Sequence, residues 1–191
     1  MSKFTDFIIK EHDPKIWNAA DKKARSLPIL PGSHRGLAAN QVGCLGEAIA
    51  VDWFISQNLT FEDQTNLTTH DYRISSEKLT IDIKTKDRTV EPRDNYECSV
   101  PEYNHAHQRP NYYIFVSLQR DSKYQGAAND IDRYSRGFIL GGIDLESFDK
   151  RAVFWKKDEI DPTNGTKFWT SCFNVYINQL ESITTLQAKW K

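Results

Sequence analysis

An acid and two lysines share one side of a short stretch of this sequence. The stretch is LTIDIKTK, residues 79–86, in which apolar residues alternate with polar and charged ones, a pattern typical of a β-strand. On such a strand Asp82, Lys84 and Lys86 lie on one face and the apolar side chains on the other. The charged face is either ordinary solvated surface or the wall of a charged cleft.

A second acid precedes this stretch at the distance of a hairpin. The polar segment SSEK separates LTIDIKTK from the β-rich run DYRI, so we expect two adjacent strands with Asp71 beside Asp82. Two adjacent carboxylates raise each other's pKa unless a cation lies between them, and Mg²⁺ takes oxygen ligands from one or two carboxylates, substrate phosphate and water. Lys84, about 7 Å along the strand from Asp82, is placed to hold an attacking water or to neutralise phosphoryl charge. These three residues predict a hydrolytic site.

The elements that must position these side chains follow from the hydrophobic pattern. Apolar residues at helical spacing, with small residues between them, predict a closely packed helix over residues 38–57. After the hairpin, NYECSV is predicted as a third strand, PEYNHAHQ as a short helix or loop, and NYYIFVSL as a strand buried on both faces. This order predicts an α/β domain with a mixed central β-sheet flanked by helices.

The remainder of the chain is predicted to complete one domain. GFILGGI has the pattern of another buried strand, DLESFDKRAVFW of a helix, and FNVYINQLESITTL of a late strand with a terminal helical turn. Residues 1–191 contain no linker or repeat, and this length is typical of a single domain. Residues 1–36 are predicted to be a short helix or an N-terminal arm, part of which we expect to be mobile.

HDYRI and LTIDIKTK, preceded by a helix carrying GE, resemble the PD-(D/E)XK nuclease superfamily over about residues 38–118. In that superfamily a helix-borne Glu, a first Asp and a D/E-x-K strand bind Mg²⁺ and cut nucleic-acid phosphodiesters. Position by position, Glu47 matches the helical acid, Asp71 the first Asp, Asp82 the second acid and Lys84 the lysine. One departure is that a histidine rather than a proline precedes the first Asp.

The resemblance implies a restriction-endonuclease-like core and a site for one or two metal ions. Its metal ligands would be Glu47, Asp71, Asp82 and the carbonyl of Ile83, with Mn²⁺ able to replace Mg²⁺, and Lys84 would position the attacking water. The expected activity is phosphodiester hydrolysis, with DNA favoured over RNA and endonuclease over exonuclease. A homodimer is expected if both strands of a duplex are cut together.

Several of these assignments have an alternative. Asp52 lies on the same predicted helix and competes with Glu47 for the role of the helical acid. His105 and His107 lack the further ligands of a zinc site and are interpreted as surface or phosphate-contact residues. The basic residues Lys86, Arg88 and Arg93 either follow a phosphate backbone or belong to a solvated loop with interleaved acids. Only Lys86 is expected on the Asp82 face, which makes it the predicted substrate-binding residue.

Overall charge and cysteine usage limit the classes of function. Lys and Arg total 25 against 26 Asp and Glu, a net charge of −1, so nucleic-acid binding would need a local basic patch. This balance also leaves open a catalytically inactive module that binds nucleic acid or protein, or a hydrolase of another substrate. Three widely spaced cysteines, and the absence of a signal-like or membrane-spanning apolar run, predict a cytoplasmic protein without membrane contact.

Overall fold

Two β-sheets and five α-helices form the described part of the chain, which in this computed structural model is residues 7–29, 35–75 and 77–190. In the main sheet β4 and β6 are parallel and the other neighbouring strands are antiparallel, so the sheet is mixed. The predicted α/β class with a mixed sheet flanked by helices is therefore confirmed. In spatial order the six strands are β1 (Ile8–Glu11), β7 (Tyr134–Asp144), β6 (Tyr112–Arg120), β4 (Leu79–Arg88), β3 (Tyr72–Ile74) and β2 (Phe61–Asp63).

A smaller antiparallel sheet covers one face of the main sheet. Its strands are, in order, β5 (Glu97–Pro101), β9 (Cys172–Tyr176) and β8 (Val153–Trp155). The predicted strand NYECSV thus belongs to a second sheet, and the end of DLESFDKRAVFW forms β8 rather than continuing a helix. Parallel strands need a crossover, and β5 with the short helix α3 (Glu102–His107) provides the one between β4 and β6.

The longer helices pack on the opposite face of the main sheet. They are α1 (Pro14–Ser26), α2 (Leu37–Ser56) and, near the end of the chain, α5 (Ile183–Trp190), while α4 (Leu145–Arg151) follows β7. At Gly46, α2 lies so close to β4 that a Cβ built there would come within 1.9 Å of the Thr85 hydroxyl oxygen. The small residue is therefore needed for this contact. None of the helices in the described ranges is long and apolar enough to cross a membrane.

The two faces of the main sheet bury different hydrophobic cores. Ile81 and Ile83 of β4 belong to the core beneath the helices, together with residues of α1, α2 and α5. Tyr113, Phe115 and Phe138 belong to the core beneath the second sheet. The even-numbered residues of β4 therefore face the second sheet.

Part of the segment predicted as an N-terminal arm belongs to the main body. β1 pairs with β7, and α1 buries Trp17, Ala20 and Ala24, with the Trp17 indole N–H donating to the Tyr134 carbonyl at 2.8 Å. The remaining parts of that segment, 1–6 and 30–34, lie outside the described residues. The expected mobility stays a prediction there.

Candidate active site

The β3–β4 hairpin brings Asp71 next to Asp82. Tyr72 pairs with Ile81, and the Asp71 backbone N–H donates to the Ile81 carbonyl at 2.9 Å. The Asp71 carboxylate in turn accepts a hydrogen bond of 2.7 Å from the backbone N–H of Ile83. The pairing of β3 with β4 and the hydrogen bond from Ile83 together hold Asp71 beside the strand that carries Asp82.

Asp82 is fully buried, and the one ion pair that it forms among the described residues is with a lysine. Lys84 Nζ lies 2.5 Å from Asp82 Oδ2, yet neither carboxylate oxygen has an aligned hydrogen-bond donor, so this contact is an ion pair without a well-formed hydrogen bond. A buried carboxylate without donors is costly unless a cation compensates it. The unpartnered Oδ1 is thus suited to ligate a cation.

Lys84 is also held from the other side by a residue that the sequence did not indicate. The side-chain carbonyl of Gln108, directly after α3, accepts hydrogen bonds from Lys84 Nζ at 3.0 Å and from the Asn104 amide at 2.9 Å. This contact depends on how α3 lies over β4, so no local pattern could have predicted it. Gln108 fixes where the ammonium group lies.

Glu47 of α2 approaches the same cluster but has a lysine of its own. Lys23 Nζ of α1 lies 2.8 Å from Glu47 Oε2. Burial and the charge of Asp71 raise the pKa of Glu47, while Lys23 lowers it. The alternative acid, Asp52, forms an ion pair with Lys10 of β1 at 2.9 Å. Of the two helical acids, Glu47 is therefore the one within electrostatic reach of the hairpin.

The buried acids perturb one another's proton affinity. Burial, followed by the charge of Asp82, raises the pKa of Asp71 to about 7, against the opposing effect of the Ile83 N–H and Lys84. Burial also raises the pKa of Asp82, with Lys84 opposing. Closely spaced acids with raised pKa values are stabilised in their charged form by a cation, and such clusters are common at functional sites.

The site offers two carboxylates for a metal ion, but not a set of three or more protein ligands among the described residues. Within the described ranges, no group of three or more His, Cys, Asp and Glu side chains is gathered to hold a metal ion. Mg²⁺ needs only one or two carboxylates when substrate phosphate and water complete its shell, and Asp71 with Asp82 offers those. Glu47 lies near the two aspartates but forms its ion pair with Lys23. Ile83, whose carbonyl was predicted as a ligand, is held beside Asp71 by its backbone N–H.

Of the three histidines close to these strands in sequence, His70 and His105 have structural contacts. The ring of His70 contacts the Gln64 side-chain carbonyl oxygen at 2.5 Å and the Thr69 hydroxyl at 2.9 Å, between β2 and β3. His105 is buried, with Nδ1 2.9 Å from the Tyr113 hydroxyl, whereas His107 is exposed. The surface interpretation is thus wrong for His105, because α3 turns this ring into the core beneath the second sheet.

Lys86 continues the charged face, and one more cation follows it. β4 extends to Arg88, which therefore shares the face of Asp82. The expectation that only Lys86 shares this face is wrong, because the strand was expected to end before Arg88. Lys86 Nζ donates to the Ser99 hydroxyl at 3.3 Å, and Arg88 Nη2 donates to the Glu97 carbonyl at 2.5 Å. Both cations lie between the main sheet and β5.

Comparison with known proteins gives no further assignment. No protein-family model matches the sequence, and no curated protein is significantly similar to it. The functional interpretation therefore depends on the residues and geometry described above.

Proposed function

We propose that this protein is a Mg²⁺-dependent nuclease that hydrolyses phosphodiester bonds, with DNA as substrate and internal cleavage as its mode. The observation that carries the proposal is the meeting of Asp71, Asp82 and Lys84 on adjacent strands, as one buried charged cluster. Two carboxylates for a metal and an ammonium for water or phosphate are the groups that metal-assisted hydrolysis needs.

The order of elements supports a restriction-endonuclease-like core. A helix with the acid Glu47 precedes an antiparallel hairpin, which is followed by a short helix and the apolar strand β6 parallel to β4. The resemblance over residues 38–118 implies this order of an acidic helix, the site hairpin and a following apolar strand. The element order thus supports the proposal through the same helix and hairpin that carry the site.

Each side chain has a defined part in the proposed mechanism. Asp71 and Asp82 would hold Mg²⁺ or Mn²⁺, with the Ile83 carbonyl as a further ligand, and the metal would supply Lewis-acid activation of water and phosphoryl oxygen. Glu47, the remaining ligand that the resemblance implies, would have to leave its ion pair with Lys23 to join them. Lys84, kept near Asp82 by Gln108, donates to the attacking water or to a non-bridging phosphoryl oxygen. Since both partners of Lys84 are fixed, little reorganisation precedes the reaction.

A cleavage assay tests this function. Purified protein is incubated with circular, linear, single-stranded and branched DNA, and with RNA, in Mg²⁺, Mn²⁺ or EDTA. Asp82→Asn and Lys84→Met are expected to lower the rate at least about 100-fold. Glu146→Gln and Lys150→Met, which change the same charges in an exposed ion pair on α4, are the matched controls. Metal-dependent cleavage that both site variants retain would remove these residues from the mechanism.

One observation favours the alternative of an inactive binding module on the same fold. Glu47 and Asp82 already have lysine partners, Lys23 and Lys84, so the acids are partly neutralised without a metal. Calorimetry with Mn²⁺ discriminates the two. The nuclease proposal requires one or two sites that weaken in Asp71→Asn, whereas the absence of heat, or binding unaffected by that variant, favours the binding module.

We also propose a cellular location, from the cysteines, and an assembly, from the nuclease function. The three cysteines are all free thiols and buried, which supports a reducing compartment such as the cytoplasm. Concerted cutting of both strands of a duplex would need two active sites, hence a homodimer. Sedimentation of the protein with and without duplex DNA tests this assembly.

A further inference from the structure

A cavity of about 300 Å³ lies beyond Lys84 on the charged face of β4. Its lining includes Lys86 and Arg88 of β4 and the segment from Asn95 to Glu97. Asn164 and Thr166, in the loop before β9, also line it. We call this cavity the cationic pocket.

Within the described ranges, neither cation of the cationic pocket forms an ion pair with a carboxylate. The acid Glu97 also lines the cavity, and its charge acts on both Lys86 and Arg88. Lys86 donates to Ser99, and Arg88 to a backbone carbonyl, while Arg88 Nε is buried without a hydrogen-bond partner. Several N–H groups of both side chains thus remain to be used.

The surroundings make this pair of cations costly in the absence of an anion. Burial, followed by the charge of Arg88, lowers the pKa of Lys86, and burial likewise lowers the pKa of Arg88; the charge of Glu97 opposes both shifts without cancelling them. Buried cations are normally retained only where an opposite charge compensates them. The Arg88 guanidinium carbon lies 5.0 Å from the centre of the Tyr96 ring, which fixes the orientation of its planar donors.

We infer that the cationic pocket binds a phosphate group through Lys86 and Arg88. A phosphate accepts both the point charge of a lysine and the forked donors of an arginine, and it offsets both charges at once. Asn95, Asn164 and Thr166 add neutral polar residues to the lining of the cavity.

In the proposed nuclease, this phosphate belongs to the nucleic-acid strand being cut; this step rests on the proposed function. Lys86 and Arg88 lie about 7 Å and about 13 Å along β4 from Lys84 on the same face. A strand whose scissile phosphate lies at Lys84 would therefore bring a neighbouring internal or terminal phosphate to the cationic pocket. The pocket would set the register of the strand relative to the cut.

Calorimetry with inorganic phosphate tests the pocket itself, in EDTA so that neither metal nor cleavage contributes. Saturable binding is expected, weakened at least about tenfold in Lys86→Met and in Arg88→Gln. The matched controls are Lys150→Met and Arg151→Gln, since Lys150 is exposed and Arg151, like Arg88, donates to a backbone carbonyl. These controls are expected to bind phosphate as the wild type does.

Stability measurements separate loss of binding from loss of folding. Without phosphate, Lys86→Met is expected to unfold at a higher urea concentration than the wild type, because a half-buried charge that has no ion pair among the described residues is removed. Phosphate is expected to stabilise the wild type but not this variant. No saturable phosphate binding, or binding equal in the wild type and both pocket variants, would overturn the inference.

Oligonucleotides identify the source of the phosphate. Short single strands with and without a 5′-phosphate are titrated in EDTA into Asp82→Asn protein, with and without Lys86→Met. If the protein prefers the 5′-phosphorylated strand and Lys86→Met abolishes that preference, the pocket binds a terminal phosphate. If strands with and without the 5′-phosphate bind equally and Lys86→Met weakens the binding of both, the pocket binds an internal phosphate. Oligonucleotide binding unchanged by Lys86→Met refutes the substrate role. Phosphate binding without any cleavage would refute the nuclease function but support the cationic pocket. Cleavage without phosphate binding would refute the cationic pocket but support the nuclease function.

Discussion

Replacing Asp71 by asparagine is expected to stabilise the protein at high pH and not at low pH. The pKa of Asp71 rises from 3.8 to about 7 in the folded state. Because the folded pKa exceeds the unfolded one, the folded state binds more protons between pH 4 and about 7, and stability falls as the pH rises through this window. Asparagine does not ionise, yet its side-chain carbonyl still accepts from the Ile83 N–H.

The magnitude follows from the size of the shift. About three pKa units at about 1.4 kcal/mol each give an upper bound of about 4 kcal/mol. Part of this belongs to Asp82, because the two carboxyl groups titrate as a pair. We therefore expect Asp71→Asn to be about 2–4 kcal/mol more stable than the wild type at pH 8, and about equal to it at pH 4.

Urea unfolding at pH 4, 6 and 8 in EDTA measures this difference. The matched control is Asp121→Asn, because Asp121 is exposed and its side chain likewise accepts a backbone N–H, from Lys123 at 2.8 Å. Its free energy of unfolding is expected to follow the pH dependence of the wild type. A stability gain in Asp71→Asn that is the same at every pH, or no gain at pH 8, would refute the assignment of a raised pKa to a buried acid pair.

Two further predictions concern contacts around the site. Gln108→Leu is expected to lower kcat about tenfold with KM unchanged. Gln108→Glu keeps an acceptor for Lys84 and is expected to retain most of the wild-type kcat. Equal losses of kcat in Gln108→Leu and in the exposed control Gln125→Leu would contradict a positioning role. Gly46→Ala is expected to destabilise the protein by about 1–3 kcal/mol in urea unfolding, because its Cβ would overlap the Thr85 side chain. Thr85→Ala in the same chain should recover part of that loss, and an undisturbed Gly46→Ala protein would mean that α2 does not approach β4 so closely.

Local patterns were sufficient for the hairpin and the helix before it. A period of two predicted that Asp82 and Lys84 share a face, and helical spacing with small residues predicted α2 close to the sheet, as the Gly46 contact shows. The SSEK turn predicted the pairing that brings Asp71 to Asp82. These features depend on residues near one another in the sequence.

Features that depend on distant segments were not predictable in the same way. Whether β5 joins the main sheet or a second one depends on the distant strand β9, and nothing in NYECSV specifies that partner. Lys23 and Gln108 contact the site only because α1 and α3 pack against it. Arg88 was not expected on the Asp82 face for a simpler reason, since strand ends are poorly defined by alternation alone.

The pairing of β5 with β9 also affects when the charged face of β4 becomes enclosed. The two strands are far apart in the sequence, and such pairings form slowly because a long loop must close first. During synthesis, β4, β5 and β6 leave the ribosome well before β9 exists. Until then the apolar side chains of Tyr113, Phe115 and Phe138 lack their cover. The cationic pocket, whose lining includes Thr166 just before β9, is thus complete only after that part of the chain has been made and has packed against β5.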